Sequence, residues 1–276
     1  MSVFLPALLA ETSSALLNHA REAHRAGRLD EAIEYADQAI EKAEVNSEAV
    51  ALAQMRLTRS AIYDAAGRWK DALEDYTYAL KSFPQVAKIY NRRGALYFKM
   101  GRIDDSITDF DKAVELDPSL DLYHWQRGIS YYYTGKLDEC IGQFNRHRTV
   151  NPNDVENAFW HFLCKAQRDG VEEARKSLLP AGPDKRPPMM KIYAVLQKKA
   201  EVEDVFAIAR KTTRSVAHED TALFYAHLYM GLYLETLGNL KAAKFHINKA
   251  ARDFRFEHYM GDVARVHAGR LQDGRP

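Results

Sequence analysis

Apolar residues recur with helical spacing along most of the chain, and no segment sustains the two-residue alternation of a strand. Ile89-Tyr90, Gly94 and Tyr97 share one helix face, and Gly101 ends that helix because glycine accepts the left-handed conformation a helix end often needs. Ile103, Ser106-Ile107, Phe110 and Ala113-Val114 form the apolar face of a second helix, and Asp117-Pro118 stops it because proline cannot donate into a continuing helix. Small Gly94 and Ser106 let the two helices approach closely, while Tyr97 and Phe110 fill the space around them.

This helix pair repeats. Pro84, Pro118 and Pro152 stand 34 residues apart, as do Gly67, Gly101 and Gly135, and Tyr63, Tyr97 and Tyr131. Small residues (Ala72, Ser106, Cys140) and aromatics (Tyr76, Phe110, Phe144) keep the same step. Upstream, Ala20, Gly27, Ala32, Ala36 and Ala39 fit a further unit, with about six residues inserted before the next. Downstream, Gly231, Leu234, Gly238, Ala243 and Ala250 restore the pattern. Each pair leaves an apolar face that the next pair buries, so a stack of units with no single central core is predicted.

With Ala87 as position 1, Tyr90 falls at 4, Gly94 at 8, Tyr97 at 11, Ser106 at 20, Phe110 at 24, Ala113 at 27 and Pro118 at 32. This resembles the signature of the tetratricopeptide repeat (TPR) family. The resemblance implies an all-α, right-handed superhelix of about five helix pairs with a C-terminal capping helix. Repeat units are predicted at 13–46, 53–86, 87–120 and 121–152, a degenerate helical stretch at 153–215 with a proline-rich connector at 180–188, and a last unit plus cap at 216–272. Stretches such as NPNDVENAFWHFLC, and the order of elements, are similar to the NlpI-type bacterial TPR lipoproteins. That likeness implies a cell-envelope adaptor that recruits a hydrolase or protease. The family's anchoring cysteine is absent near the N-terminus. The apolar stretch Val3–Ala10 is too short to span a membrane and lacks a basic flank, so it reads as a helix packed on the next one, with a signal segment as the alternative. A cytoplasmic location is the first expectation and the envelope the second.

In the TPR family the first helices of successive pairs line a concave groove. Carried onto this sequence, its positions are Arg21, His24 and Arg25, then Gln54, Leu57, Thr58, Ala61 and Asp64, then Lys88, Asn91, Arg92, Phe98 and Lys99, then Leu122, Trp125, Gln126, Ile129, Tyr132 and Tyr133. Fixed cations running into flat aromatics suit an extended or helical peptide bearing carboxylates. Lys88 and Arg92 occupy two of the five positions of the family's carboxylate clamp, whereas Leu17, Arg21 and Thr58 replace the others.

Composition narrows the alternatives. Thirty-nine Lys+Arg against 38 Asp+Glu gives a formal charge of +1, which counts against a nucleic-acid binder carried by bulk charge and leaves an RNA-binding helical repeat as a minor reading. The sequence has no membrane-spanning run, no HExxH or paired CxxC, and no phosphate loop, so no metal, cofactor or catalytic residue is predicted. The ten histidines read as surface or interhelix residues. Cys140, in the small-residue column, and Cys164, within an apolar run, read as buried packing thiols. A non-catalytic scaffold with protein or peptide partners is the resulting expectation, and pairing with copies of itself is compatible with it.

Overall fold

A computed structural model describes residues 12–44, 49–211, 216–254 and 256–274. The segment Val3–Ala10 lies outside them. All regular structure among the described residues is helical, and it falls into two compact units, 1–96 and 97–276.

The first unit holds α1 (Ser13–Arg25), α2 (Leu29–Glu44), α3 (Ala49–Ala65), α4 (Trp69–Ser82) and most of α5 (Ala87–Lys99). Thr12 caps α1 by accepting from the Ala15 N–H, which satisfies one of the donors a helix start leaves open. Ala20, Ala32, Ala36 and Ala39 are fully buried, so α1 and α2 approach with little side-chain bulk between them. Leu16, Leu17, Ile40 and Met55 complete a small core.

The second unit holds α6 (Ile103–Leu116), a short 3₁₀ segment (Pro118–Tyr123), α7 (Trp125–Tyr133), α8 (Leu137–Arg148), α9 (Val155–Asp169), α10 (Val171–Lys176), α11 (Met189–Leu196), α12 (Val202–Arg210), α13 (Val216–Thr236), α14 (Leu240–Arg252) and α15 (Tyr259–Gln272). Its core is continuous from Phe98 to Leu271. This departs from the expected stack without a central core, because α15 folds back onto the repeats and closes a common interior.

One turn joins α1 to α2, α3 to α4, α5 to α6, α7 to α8 and α13 to α14. Gly27, Gly67, Gly101, Gly135 and Gly238 all have φ between 71° and 79°. The N–H after each glycine donates to a carbonyl five residues back: Arg28 to Ala23, Arg68 to Tyr63, Arg102 to Tyr97, Lys136 to Tyr131 and Asn239 to Leu234. That is the hydrogen bond of a left-handed helix cap, and it reverses the chain the same way each time. These are the five expected pairs, with α15 as the predicted cap.

A second column recurs in space. Arg59 pairs with Asp37 at 2.7 Å, Arg93 donates to Thr77 at 3.3 Å, and Arg127 pairs with Asp111 at 2.6 Å. Each arginine reaches from the first helix of one pair to the second helix of the pair before it, and Tyr63 and Tyr131 donate to the same aspartates. Arg59, Arg93 and Arg127 keep the 34-residue step in the sequence.

Cys140 and Cys164 are fully buried as expected, but they are joined in a disulfide that ties α8 to α9, with Cα atoms 6.2 Å apart. This corrects the reading of two packing thiols. Burial was legible from local pattern; the pairing depends on α9 lying against α8, which no local pattern states.

Candidate functional site

The predicted groove residues separate into three environments. On α5, Lys88 and Arg92 are exposed one turn apart, and Asn91 between them is half-buried with its Oδ1 unpartnered.

Phe98, Ile129 and Tyr133 are buried, which corrects the expectation of an open aromatic surface. The physical reason is α15. Tyr259 stacks on Phe98 with centroids 4.9 Å apart, and the Tyr133 hydroxyl bonds His267 Nδ1 at 3.0 Å. His267 Nε2 meets Glu235 at 2.7 Å, and Arg270 donates to the Tyr133 carbonyl at 3.1 Å. Lys99 lies 3.9 Å from Asp262 of the same helix. Tyr132 packs edge-on against Trp160 and Tyr133. The Phe98–Tyr133 part of the surface assigned to a peptide is here covered by the chain's own last helix.

Trp125 remains partly open, and it borders a cavity of about 370 Å³ within the second unit. The walls come from Phe144 and His147 of α8, Asn151 and Asp154 of the following loop, Glu156, Asn157 and Trp160 of α9, Tyr225 of α13, and His258, Tyr259 and Met260 at the start of α15. Local sequence sets these positions. Asp154 caps α9 by accepting from the Glu156 N–H, and His258 Nδ1 accepts from the Met260 N–H at the start of α15. Gly261 follows, where a Cβ would lie 2.2 Å from the Phe256 carbonyl oxygen, so only glycine allows this approach. Trp125 and Tyr259 meet edge to face, centroids 5.1 Å apart.

The charges at the rim are spoken for. Arg186 pairs with Glu156 at 2.5 Å, Asp154 at 2.7 Å and Asp184 at 2.6 Å. Tyr229 donates to the other Glu156 oxygen, and Asn151 donates to Asp154 at 3.2 Å. Burial raises the Glu156 carboxyl above its ordinary range, with Arg186 pulling the other way. Burial also raises the Tyr225 and Tyr259 phenols, so both rings stay neutral. Three side-chain polar atoms of the lining residues are buried without a hydrogen-bond partner: Asn157 Oδ1, Trp160 Nε1 and the Tyr259 hydroxyl.

Among the described residues no three His, Cys, Asp or Glu side chains converge as metal ligands, and no helix is long and apolar enough to cross a membrane. Sequence reasoning placed Trp125 at the site and missed Asn157, Trp160, Tyr225 and Tyr259. Trp160 had a signal, a tryptophan in a helix buried on all sides; the others converge only through tertiary packing.

Models of the tetratricopeptide repeat match residues 13–44 and 87–120. A search of the curated proteins returns no match. Among solved structures, a tetratricopeptide repeat protein from Parabacteroides merdae ATCC 43184 superposes with a TM-score of 0.62 at 16% identity, covering 94% of this chain and 98% of that one. YrrB, described as a TPR protein with an unusual peptide-binding site, gives 0.53 at 19% identity over 63% of this chain and 88% of its own. PilW, a widely conserved type IV pilus biogenesis factor, gives 0.51 at 18% identity over 91% and 97%. At such identities the likeness concerns the fold. The chain carries tetratricopeptide repeats, and its fold is that of the tetratricopeptide-repeat family. That is a fold of protein-interaction scaffolds.

Proposed function

We propose that the protein is a non-catalytic scaffold that binds a peptide or helix of a partner protein on its repeat surface. The aromatic cavity of the second unit carries this reading: concave, mostly apolar walls with a few placed polar groups are what a binding site needs. Tryptophan and tyrosine, which line it, are common interface anchors. On α5, exposed Lys88 and Arg92 offer a separate cationic surface for a carboxylate-bearing partner. Capture of partners from the native source, comparing wild type with Trp125→Ala and Lys88→Glu, tests the proposal. Loss of a partner with either variant supports it; equal recovery of every partner by all three refutes it.

A cell-envelope adaptor recruiting a hydrolase or protease is the second reading. The Cys140–Cys164 disulfide favours it, since such bonds persist chiefly in oxidising compartments. Fractionation of the native source tests this: recovery only with cytoplasmic markers removes it.

A further inference from the structure

We infer that the solvent face of α14 is a docking site for an acidic amphipathic helix of a partner protein. The site is separate from the aromatic cavity and from α5, and it goes beyond the scaffold reading by adding another place of attachment.

The second helices of the repeat pairs share one register, counted from the glycine that precedes each. At the fourth position after it, α2, α4, α6 and α8 carry Glu31, Asp71, Asp105 and Glu139. Acids there suit the positive end of the helix dipole. Arg28, Arg68 and Arg102, one residue after their glycines, pair with the first three of these acids at 2.5, 2.6 and 2.7 Å. α14 reverses the arrangement. Ala242 takes the acid's place, Asn239 takes the arginine's, and Lys241 puts a cation in the first turn, the wrong sign for that end of a helix. At the sixth position Ile33, Leu73, Ile107 and Ile141 give way to Lys244. At the seventh Glu34, Glu74, Thr108 and Gly142 give way to Phe245, which leaves 56% of its surface in water. The last repeat therefore departs from the others in both charge and polarity, and only on the side turned away from its buried Ala243, Ile247 and Ala250.

α14 carries four cations and no Asp or Glu. Lys249 is held by Asp253 at 2.9 Å, whereas Lys241, Lys244 and Arg252 are exposed and no carboxylate among the described residues pairs with them. At about 100° per residue, Lys244, Lys241 and Arg252 fall between Leu240 on one side and Phe245 on the other. The face is thus a cationic row about 16 Å long with an exposed apolar group along each edge.

That order decides the occupant. A helix lying in a membrane interface puts its apolar residues in the middle of the buried face and its cations outside them, the opposite of this face. A phosphate backbone would meet the cations and leave Leu240 and Phe245 uncovered. A helix with a row of carboxylates and apolar side chains on both flanks matches the charges and covers both edges.

The probes are two synthetic helices, acetylated and amidated: three repeats of Glu-Leu-Ala-Glu-Ala-Ala-Leu, and the same peptide with Gln for Glu. Each is labelled with fluorescein, titrated with the full chain and followed by anisotropy. The acidic helix is expected to bind about tenfold tighter than its Gln counterpart, and to weaken several-fold as salt rises from about 50 to 200 mM. Lys241→Glu/Lys244→Glu should abolish the preference while the melting temperature stays level or rises slightly, since an acid suits the first turn. Phe245→Ala should weaken the acidic helix several-fold, and Lys88→Glu should leave it unchanged. Equal binding of the two peptides, or an acidic helix held as well by Lys241→Glu/Lys244→Glu as by the wild type, overturns the inference. So does Lys241-dependent capture of phosphatidylglycerol vesicles or polyuridylate by a chain that ignores the acidic helix. Partner capture that still depends on Trp125 would leave the scaffold reading standing in each of these cases.

Discussion

Breaking the Cys140–Cys164 bond by reduction, with both side chains left in place, isolates the cross-link from the packing of its atoms. The bond closes a loop with a sequence separation of 24 residues. In the chain-entropy treatment a loop of that length withholds about 3.5 kcal/mol of conformational freedom from the unfolded chain at 25 °C. The two Cα atoms stand 6.2 Å apart, within the span that disulfides bridge. The buried pair also sits between two packed helices, so the reduced thiols keep their core contacts. Reduction should therefore lower the urea midpoint of the second unit by roughly 1–2 M, taking a slope of ~2–3 kcal/mol/M. The assay is urea unfolding followed by near-ultraviolet circular dichroism, with and without reductant, beside a thiol count in denaturant. Non-reduced protein should show no titratable thiol. Two thiols in the non-reduced protein, or a midpoint unmoved by reductant, would refute the reasoning.

Three further outcomes are expected. Gly231→Ala would place a Cβ 2.7 Å from Ile247 Cδ1 and Cγ1 and 3.1 Å from its backbone N, so α13 and α14 must separate, lowering stability by about 1–3 kcal/mol in thermal unfolding; an unchanged melting temperature would show that the pair is not so closely packed. Burial lowers His124 and His161 from 6.5 to about 4, with Arg127 and Lys165 adding to it, so the unfolded chain takes up protons first as pH falls. Stability is then complete above pH 6.5 and declines toward pH 4, by up to about 3 kcal/mol per histidine; replacing both with phenylalanine should flatten that slope in denaturant melts at stepped pH, and a slope unchanged by the replacement would contradict the assignment. Thr77→Asp should set beside Arg93 a carboxylate at the position from which Asp37 and Asp111 face Arg59 and Arg127, adding about 0.5 kcal/mol and a few degrees of melting temperature; the gain should vanish in Arg93→Ala, and its persistence there would tell against the pairing.

The repeat was legible because its determinants are local. Gly67, Gly101 and Gly135 each end a helix within their own few residues, and the chain reversals follow from those dihedrals. The Arg59, Arg93 and Arg127 column was equally periodic, but its partners lie in the preceding pair, so its role emerges only once the pairs are stacked. The groove illustrates the opposite case. Phe98 and Tyr133 do occupy the positions that a concave face would present, yet helical period cannot tell a surface open to a partner from one filled by the chain itself. That distinction lies with Tyr259 and His267, far along the sequence. The cavity was half legible: Trp125 was picked out by its repeat position, whereas the unpartnered atoms of Asn157 and Trp160 depend on α8, α13 and α15 closing around α9.

The seating of α15 also sets a timetable for the growing chain. Tyr133 and its partner His267 are separated by 134 residues. At synthesis rates of about 5–20 residues per second, roughly 7–27 s pass between the appearance of one on the ribosome and the other. During that interval Phe98 and Tyr133 are already made and their cover is not, so the nascent second unit presents an aromatic face to whatever waits at the exit tunnel. Its interior closes only when nearly all of it has emerged, whereas a row of repeats that lean only on their neighbours can settle one by one as they are translated.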